Sequence, residues 1–324
     1  MDFLNSLPRP TLPEYAFVTR LNIALFLLVA SESNSFYLGS AIFKTLASLS
    51  FFFGGLGKAF AIKSKDVNNI YPLLWDFLEG KLLKKGDNYA FFMVLGLGFS
   101  VLGDVLLVPS REKYFAVFQP AQTSQKVEEK GRELKGGKKK KGARKSAPAP
   151  APSTATTKPT VQTEGDTLSF KAGTFFFALA HIAYTVAFLS SPTTSKFNWV
   201  TFVASASIGL FISRLLGIFK SGNISQSSQL KLNIPDDMAP LVKAYVCIIT
   251  TMVGVASATD AGYQKTVGAW MFMISDMFVA VDVFGKKVPA AANARREKGR
   301  PGWKFRSFGW WFYFWAQVIL AGTI

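Results

Sequence analysis

Eight predominantly apolar stretches dominate this 324-residue chain, near residues 15–31, 36–61, 88–108, 168–190, 197–219, 239–258, 264–284 and 305–324. Most run about 17 to 25 residues, the length a helix needs to cross roughly 30 Å of hydrocarbon. They do not alternate apolar and polar residues as half-buried strands would, and they carry no charged face at helical period. A backbone in hydrocarbon must satisfy its own hydrogen bonds, so stretches of this kind become helices. The pattern predicts an all-α fold, a polytopic membrane helix bundle with about eight transmembrane helices. The first stretch lacks the basic start and small-residue cleavage site of a signal peptide, and is expected to remain a helix.

The connections are mostly short, as between antiparallel neighbours. Residues 64–87 include Tyr71-Pro72-Leu73-Leu74-Trp75-Asp76-Phe77-Leu78 flanked by lysines, a short amphipathic piece suited to the lipid–water boundary. Residues 109–167 pass from Lys/Gly to Ala/Pro/Ser/Thr, a composition too poor in apolar residues to offset the entropy of ordering. This stretch reads as a disordered basic Lys/Ala/Pro-rich loop inserted between the third and fourth spans. It divides the spans three and five, yet residues 1–324 read as a single membrane domain, since neither part alone would shield its polar residues.

The net charge of +17 is unevenly placed, with 13 Lys and Arg against 6 acids in 109–167 and 8 against 1 in 285–306. With eight spans these loops share one face. The positive-inside bias assigns that face to the cytosol, where it would touch anionic lipid. The run Lys138-Lys139-Lys140-Lys141 has no interleaved aromatic or base-reading residues, so nucleic acid is not the expected partner. One cysteine, Cys247, allows no internal disulfide. With a single histidine it also argues against an all-protein zinc site, and no metal or other cofactor is expected. The endoplasmic reticulum is the default location for such a chain; oligomeric state is not legible.

Ionisable residues inside the apolar stretches carry the functional signal. The sole histidine, His181, lies in Ala178-Leu179-Ala180-His181-Ile182-Ala183-Tyr184, and lone carboxylates occur at Asp104 and Asp276. An ionisable group at membrane depth costs roughly 2.5 to 3.5 kcal/mol on insertion scales, so it usually has a partner and a role. At 1.5 Å per helical residue, Lys44, Asp104, His181, Arg214, Tyr245, Asp276 and Gln317 all fall between the long-loop surface and roughly the bilayer middle. They are expected to line one cavity open to that side, and Tyr184, three residues from His181, shares its helix face. Plainer readings exist for each. His181, Tyr245 and Gln317 can bond neighbouring helices, Asp104 can be a helix-end residue, and Lys44 and Arg214 can snorkel. Asp276 lies too deep for that explanation. Asp282 is read as a solvated or capping residue, and Trp310-Trp311-Phe312-Tyr313-Phe314-Trp315 as interfacial anchoring and packing.

At these residues the chain resembles the YhhN-like membrane family, whose characterised members are lysoplasmalogenases. The resemblance is an ordered set: Lys44 and Leu46; Leu102-Gly103-Asp104; Ala180-His181-Ile182-Ala183-Tyr184; Tyr245; Gly268-Ala269, Ser275-Asp276 and Ala280; then Tyr313 and Ala316-Gln317. It departs from the family at Thr45, where Pro is usual, at Asp282, where Asn is common, and in the long basic loop. The resemblance implies hydrolysis of the vinyl-ether bond of a lyso-phospholipid, giving a fatty aldehyde and a glycerophospho-base. A vinyl ether hydrolyses by protonation at its distal alkene carbon, so the site needs an acid, an anion beside the oxocarbenium ion and a base for water.

Asp276 is the expected acid, Asp104 the anion and His181 the base or relay, with Lys44 or Arg214 on the phosphate. Tyr184, Tyr245, Ser275 and Gln317 complete the expected substrate-binding set. Two other classes compete. One is a transporter or lipid-binding protein using the Asp/His set as a proton or ion relay, against which stand the absence of an internal repeat and of prolines in the spans near 88–108, 168–190, 197–219 and 264–284. The other is a membrane organiser working through the basic loop.

Overall fold

A computed structural model describes residues 10–61, 71–116, 168–192, 196–219, 232–259, 262–285, 300 and 302–324. Among them are α1 (Tyr15–Ser33), α2 (Tyr37–Ala59), α3 (Tyr71–Leu78), α4 (Lys81–Lys84), α5 (Asn88–Leu106) and α6 (Arg111–Ala116). After these come α7 (Leu168–Leu189), α8 (Trp199–Leu215), α9 (Ala239–Ala258), α10 (Tyr263–Phe284) and α11 (Trp303–Ala321). The described residues hold no named strand; their one β-bridge joins Phe197 and Thr259. The all-helical polytopic bundle expected from the sequence is what the chain forms.

Eight long helices occupy the eight apolar stretches, and six of them are long and apolar enough to cross a membrane. The two that differ have visible reasons. α8 runs only 17 residues, from a side-chain cap in which Asn198 accepts from the Thr201 amide at 3.1 Å. α11 opens with Lys304 and Arg306 and owes much of its bulk to aromatic rings. The amphipathic piece forms α3, with Tyr71 and Trp75 exposed and Phe77 buried in a stack on Phe91 at 5.2 Å. Part of the expected long loop is helical. In α6, Tyr114 is buried against Tyr37, and the Tyr37 hydroxyl donates to the Pro109 carbonyl at 3.1 Å. Residues 117–167, including the lysine run, lie outside the described residues.

Helices α2, α5, α7, α9, α10 and α11 pack in a closed ring, with α1 over the α2–α11 seam and α8 outside on α9. Large apolar side chains such as Phe26, Ile42, Phe175, Ile182, Phe211 and Val279 point outward, as lipid-facing positions should. The ring closes tightly because glycines let helices approach. Between α5 and α7, Gly96 lies flat against the Tyr184 ring, Gly103 against Phe177, and Gly173 against Leu107. At the end of the bundle holding the C-terminus, Thr11 donates to the Gly322 carbonyl at 2.6 Å, and Tyr89 meets Thr323 at 2.5 Å. At the opposite end, α6 and the starts of α7 and α11 surround the mouth of a cavity.

A Cβ at Gly103 would sit 2.7 Å from the Phe177 ring, whereas one at Gly98 would meet Phe52 at an ordinary 3.4 Å. Gly103→Val should therefore lose about 1–3 kcal/mol to overpacking, and Gly98→Ala should be neutral or stabilising. Thermal unfolding of both variants in detergent checks the contrast; equal melting temperatures would refute this account of the α5–α7 contact.

Candidate functional site

The cavity measures about 350 Å³ and is bounded by α1, α2, α5, α6, α7, α9, α10 and α11, together with Ser213 and the segment that follows α8. Its inner wall carries two carboxylates in different surroundings. Asp104, on the last turn of α5, is almost fully buried. Its Oδ2 accepts from Ser48 Oγ at 2.7 Å and from the Tyr313 hydroxyl at 2.6 Å. Its Oδ1 lies 3.3 Å from Lys44 Nζ, which also donates to the Asp104 carbonyl at 3.3 Å. Three helices thus converge on one carboxylate, as low dielectric demands of a buried charge.

Asp276, on α10, is more open, its side chain 21% exposed. Its Oδ2 accepts from the Tyr245 hydroxyl at 2.5 Å, and the same hydroxyl oxygen is 2.8 Å from His181 Nε2. Tyr245 has one proton and gives it to Asp276. His181 must then carry hydrogen on Nε2 to bond the phenol oxygen, which leaves Nδ1 toward the Met252 sulfur at 3.3 Å. The result is a directed chain from His181 through Tyr245 to Asp276. The Phe272 ring, 4.6 Å from the His181 ring and 5.3 Å from that of Tyr313, links the two carboxylate clusters.

The structure brings Lys44, Asp104, Tyr245, Ser275 and Asp276 to the cavity wall, with His181 one hydrogen bond behind. Lys44 pairs with Asp104 rather than snorkelling to the interface. Tyr184 and Gln317 form a separate buried pair, the tyrosine donating to Gln317 Oε1 at 2.7 Å, and neither lines the cavity. Ser275 donates to the Phe272 carbonyl at 2.6 Å. Arg214 is exposed on α8 and stays outside. Asp282 is neither solvated alone nor a cap: it accepts from Arg306 Nη1 at 3.3 Å and lines the cavity.

Sequence reasoning missed a second polar layer at the mouth. Glu32, buried at the end of α1, accepts from Ser40 at 2.5 Å and from Arg306 Nη2 at 2.9 Å, and lies 3.6 Å from Arg300 Nη1. Arg300 also lies over the Tyr114 ring at 4.5 Å. Burial, and then the Glu32 carboxylate, push the Tyr114 phenol up to about 12. Tyr313 was legible by register. Arg306, Trp310, Tyr313 and Gln317 follow helical spacing on one face, a stripe obscured by the surrounding aromatics.

The sequence model of the YhhN family matches residues 161–324. The chain belongs to the YhhN family. No curated protein and no solved structure gives a significant match. The matched stretch contains His181, Tyr245, Asp276 and Tyr313, while Lys44, Ser48 and Asp104 precede it and join the cavity by packing.

Removing one partner of a buried ion pair leaves the other uncompensated. Glu32→Ala should accordingly cost about 3–5 kcal/mol. Asp237→Ala should leave the melting temperature unchanged, because the Lys171 partner that lowers the Asp237 pKa meets it in water. Detergent melts of the two variants measure the difference.

Proposed function

We propose that this YhhN-family protein is a membrane hydrolase that cleaves the vinyl-ether bond of lysoplasmalogens, releasing a fatty aldehyde and a glycerophospho-base. The observation that carries the reading is two carboxyl groups with contrasting surroundings on one cavity wall. Asp104, held by Lys44, Ser48 and Tyr313, is the fixed anion, and Asp276, more open and wired to His181 through Tyr245, is the proton donor. Divergent surroundings are how paired carboxyl groups divide acid and anion roles.

In this mechanism Asp276 Oδ1 delivers its proton to the distal alkene carbon while Oδ2 keeps the Tyr245 hydrogen bond. The π-electrons form the new C–H bond and an oxocarbenium ion results, stabilised by the Asp104 carboxylate. Water adds to the cationic carbon, and its proton passes to Asp276, restoring the acid. The hemiacetal then collapses. Asp276 protonates the departing glycerol oxygen and takes up the hemiacetal hydroxyl proton, leaving the aldehyde, while the His181–Tyr245 chain holds the carboxyl in place. One water is consumed in each turnover. A single-chain lyso-phospholipid suits a cavity of about 350 Å³ with apolar walls from α7, α9 and α10.

Asp276→Asn and Asp104→Asn, purified and folded, should each lower aldehyde release from lysoplasmalogen by at least about 10³-fold. Loss of general acid–base help alone, as in Tyr245→Phe, typically costs about 10²-fold. Full turnover in either Asn variant would refute the assignment.

A further inference from the structure

The mouth layer is built for an anion, and the hydrolase reading does not yet use it. Lys113, Arg300 and Arg306 supply three positive charges among the described residues lining the mouth, against two carboxylates, Glu32 and Asp282. Lys113 Nζ is buried without a hydrogen-bond partner. The cluster is held in place before any ligand arrives. Arg306 is clamped between Glu32 and Asp282, Arg300 lies on the Tyr114 ring, and the Tyr37–Pro109 hydrogen bond seats the turn leading into α6. Among the described residues, one net positive charge in a largely buried setting suits a monoanion, and a phosphodiester carries one negative charge.

Distance selects among anions. On α11, Arg306 precedes Tyr313 by seven residues, about 10 Å along the axis, and on α10 Asp282 follows Asp276 by six, about 9 Å. In a lysoplasmalogen the distal alkene carbon lies seven bonds from phosphorus, roughly 8 Å when extended at backbone-like bond lengths. Lys44, the candidate from sequence, is committed to Asp104. A phosphate bound there would push the alkene past both carboxylates.

We infer that Lys113, Arg300 and Arg306, ordered by Glu32, form the subsite for the substrate's phosphodiester and set the vinyl ether at the depth of Asp104 and Asp276. This rests on the hydrolase reading for the identity of the lipid, though the mouth would recognise a phosphodiester whatever the chemistry below it. Arg306 provides a fork and Lys113 a point charge, so the two contribute differently.

The test compares lysoplasmenylethanolamine with phosphate-free 1-alkenylglycerol on the full-length protein in detergent. Lys113→Gln and Arg306→Lys should each lower the preference for the phospholipid, the ratio of the two kcat/KM values, about 10-fold, through KM rather than kcat. Arg214→Gln, outside the cavity, should leave the ratio unchanged. Glycerophosphoethanolamine should compete with the phospholipid in the parent protein. Competition by inorganic phosphate alone would instead mark a free-anion site and overturn the headgroup assignment. An unchanged ratio in Lys113→Gln and Arg306→Lys would overturn the subsite. Binding separates the two proposals. If the parent protein releases no aldehyde, native mass spectrometry of bound lysophosphatidylethanolamine against monoacylglycerol decides. Selective loss of the phospholipid in Lys113→Gln supports the subsite without the hydrolase, and equal retention rejects it.

Discussion

The pairing of Asp104 with Lys44, Ser48 and Tyr313 is the constraint on which the rest of this bundle depends. A carboxylate that deep is tolerated only where partners from other helices surround it. Here they come from α2 and α11, so meeting the needs of one side chain draws three helices around a shared space. The Gly96 and Gly103 contacts then bring α7 against α5, which carries His181 to the same level. The cavity is thus a consequence of satisfying charge in low dielectric.

The polar residues fall into two layers with different electrostatic character. The inner layer is balanced: Lys44 with Asp104, and a histidine–tyrosine–carboxylate chain in which one hydroxyl proton fixes every donor and acceptor. Among the described residues, the mouth carries more guanidinium and ammonium than carboxylate. A chain of hydrogen bonds with no spare donor suits proton movement, while a cationic rim on a rigid aromatic support suits recognition of an anion. The layers stand about two helical turns apart, so one extended ligand can engage both.

The bundle was legible because hydrocarbon permits so few backbone solutions that apolar length alone announces a helix. Asp104, His181 and Asp276 were legible for a related reason: an ionisable residue amid Leu, Ala and Phe is an anomaly whatever the fold. Their partners were not, since Ser48 lies 56 residues from Asp104 and Tyr313 lies 209 away, separations set only by packing. Glu32, Arg300 and Arg306 sit at helix ends, where charge is ordinary and reads as topology. Arg214 shows the opposite error. Its depth matched the set, but depth says nothing about which side of a helix faces inward. The six-residue helix at Arg111–Ala116 escaped because it opens a long stretch poor in apolar residues, and the burial of Tyr114 with the Tyr37–Pro109 hydrogen bond orders it.

Register on α11 joins these observations. Each residue turns a helix by about 100°, so positions seven and eleven beyond Arg306 fall within about 20° of it, in one narrow stripe. Along that stripe Arg306 meets Glu32 and Asp282, Tyr313 meets Asp104, and Gln317 meets Tyr184, contacts that reach α1, α10, α5 and α7 in turn. Rotating α11 by a single residue would strip all three of their partners at once and would turn Gly309 away from Phe278, which a Cβ there would meet at 2.9 Å. Apolar packing holds this helix in the bundle, and the polar stripe together with the Gly309 contact chooses its rotation. That choice aligns the guanidinium at the mouth with the phenol at the carboxylate.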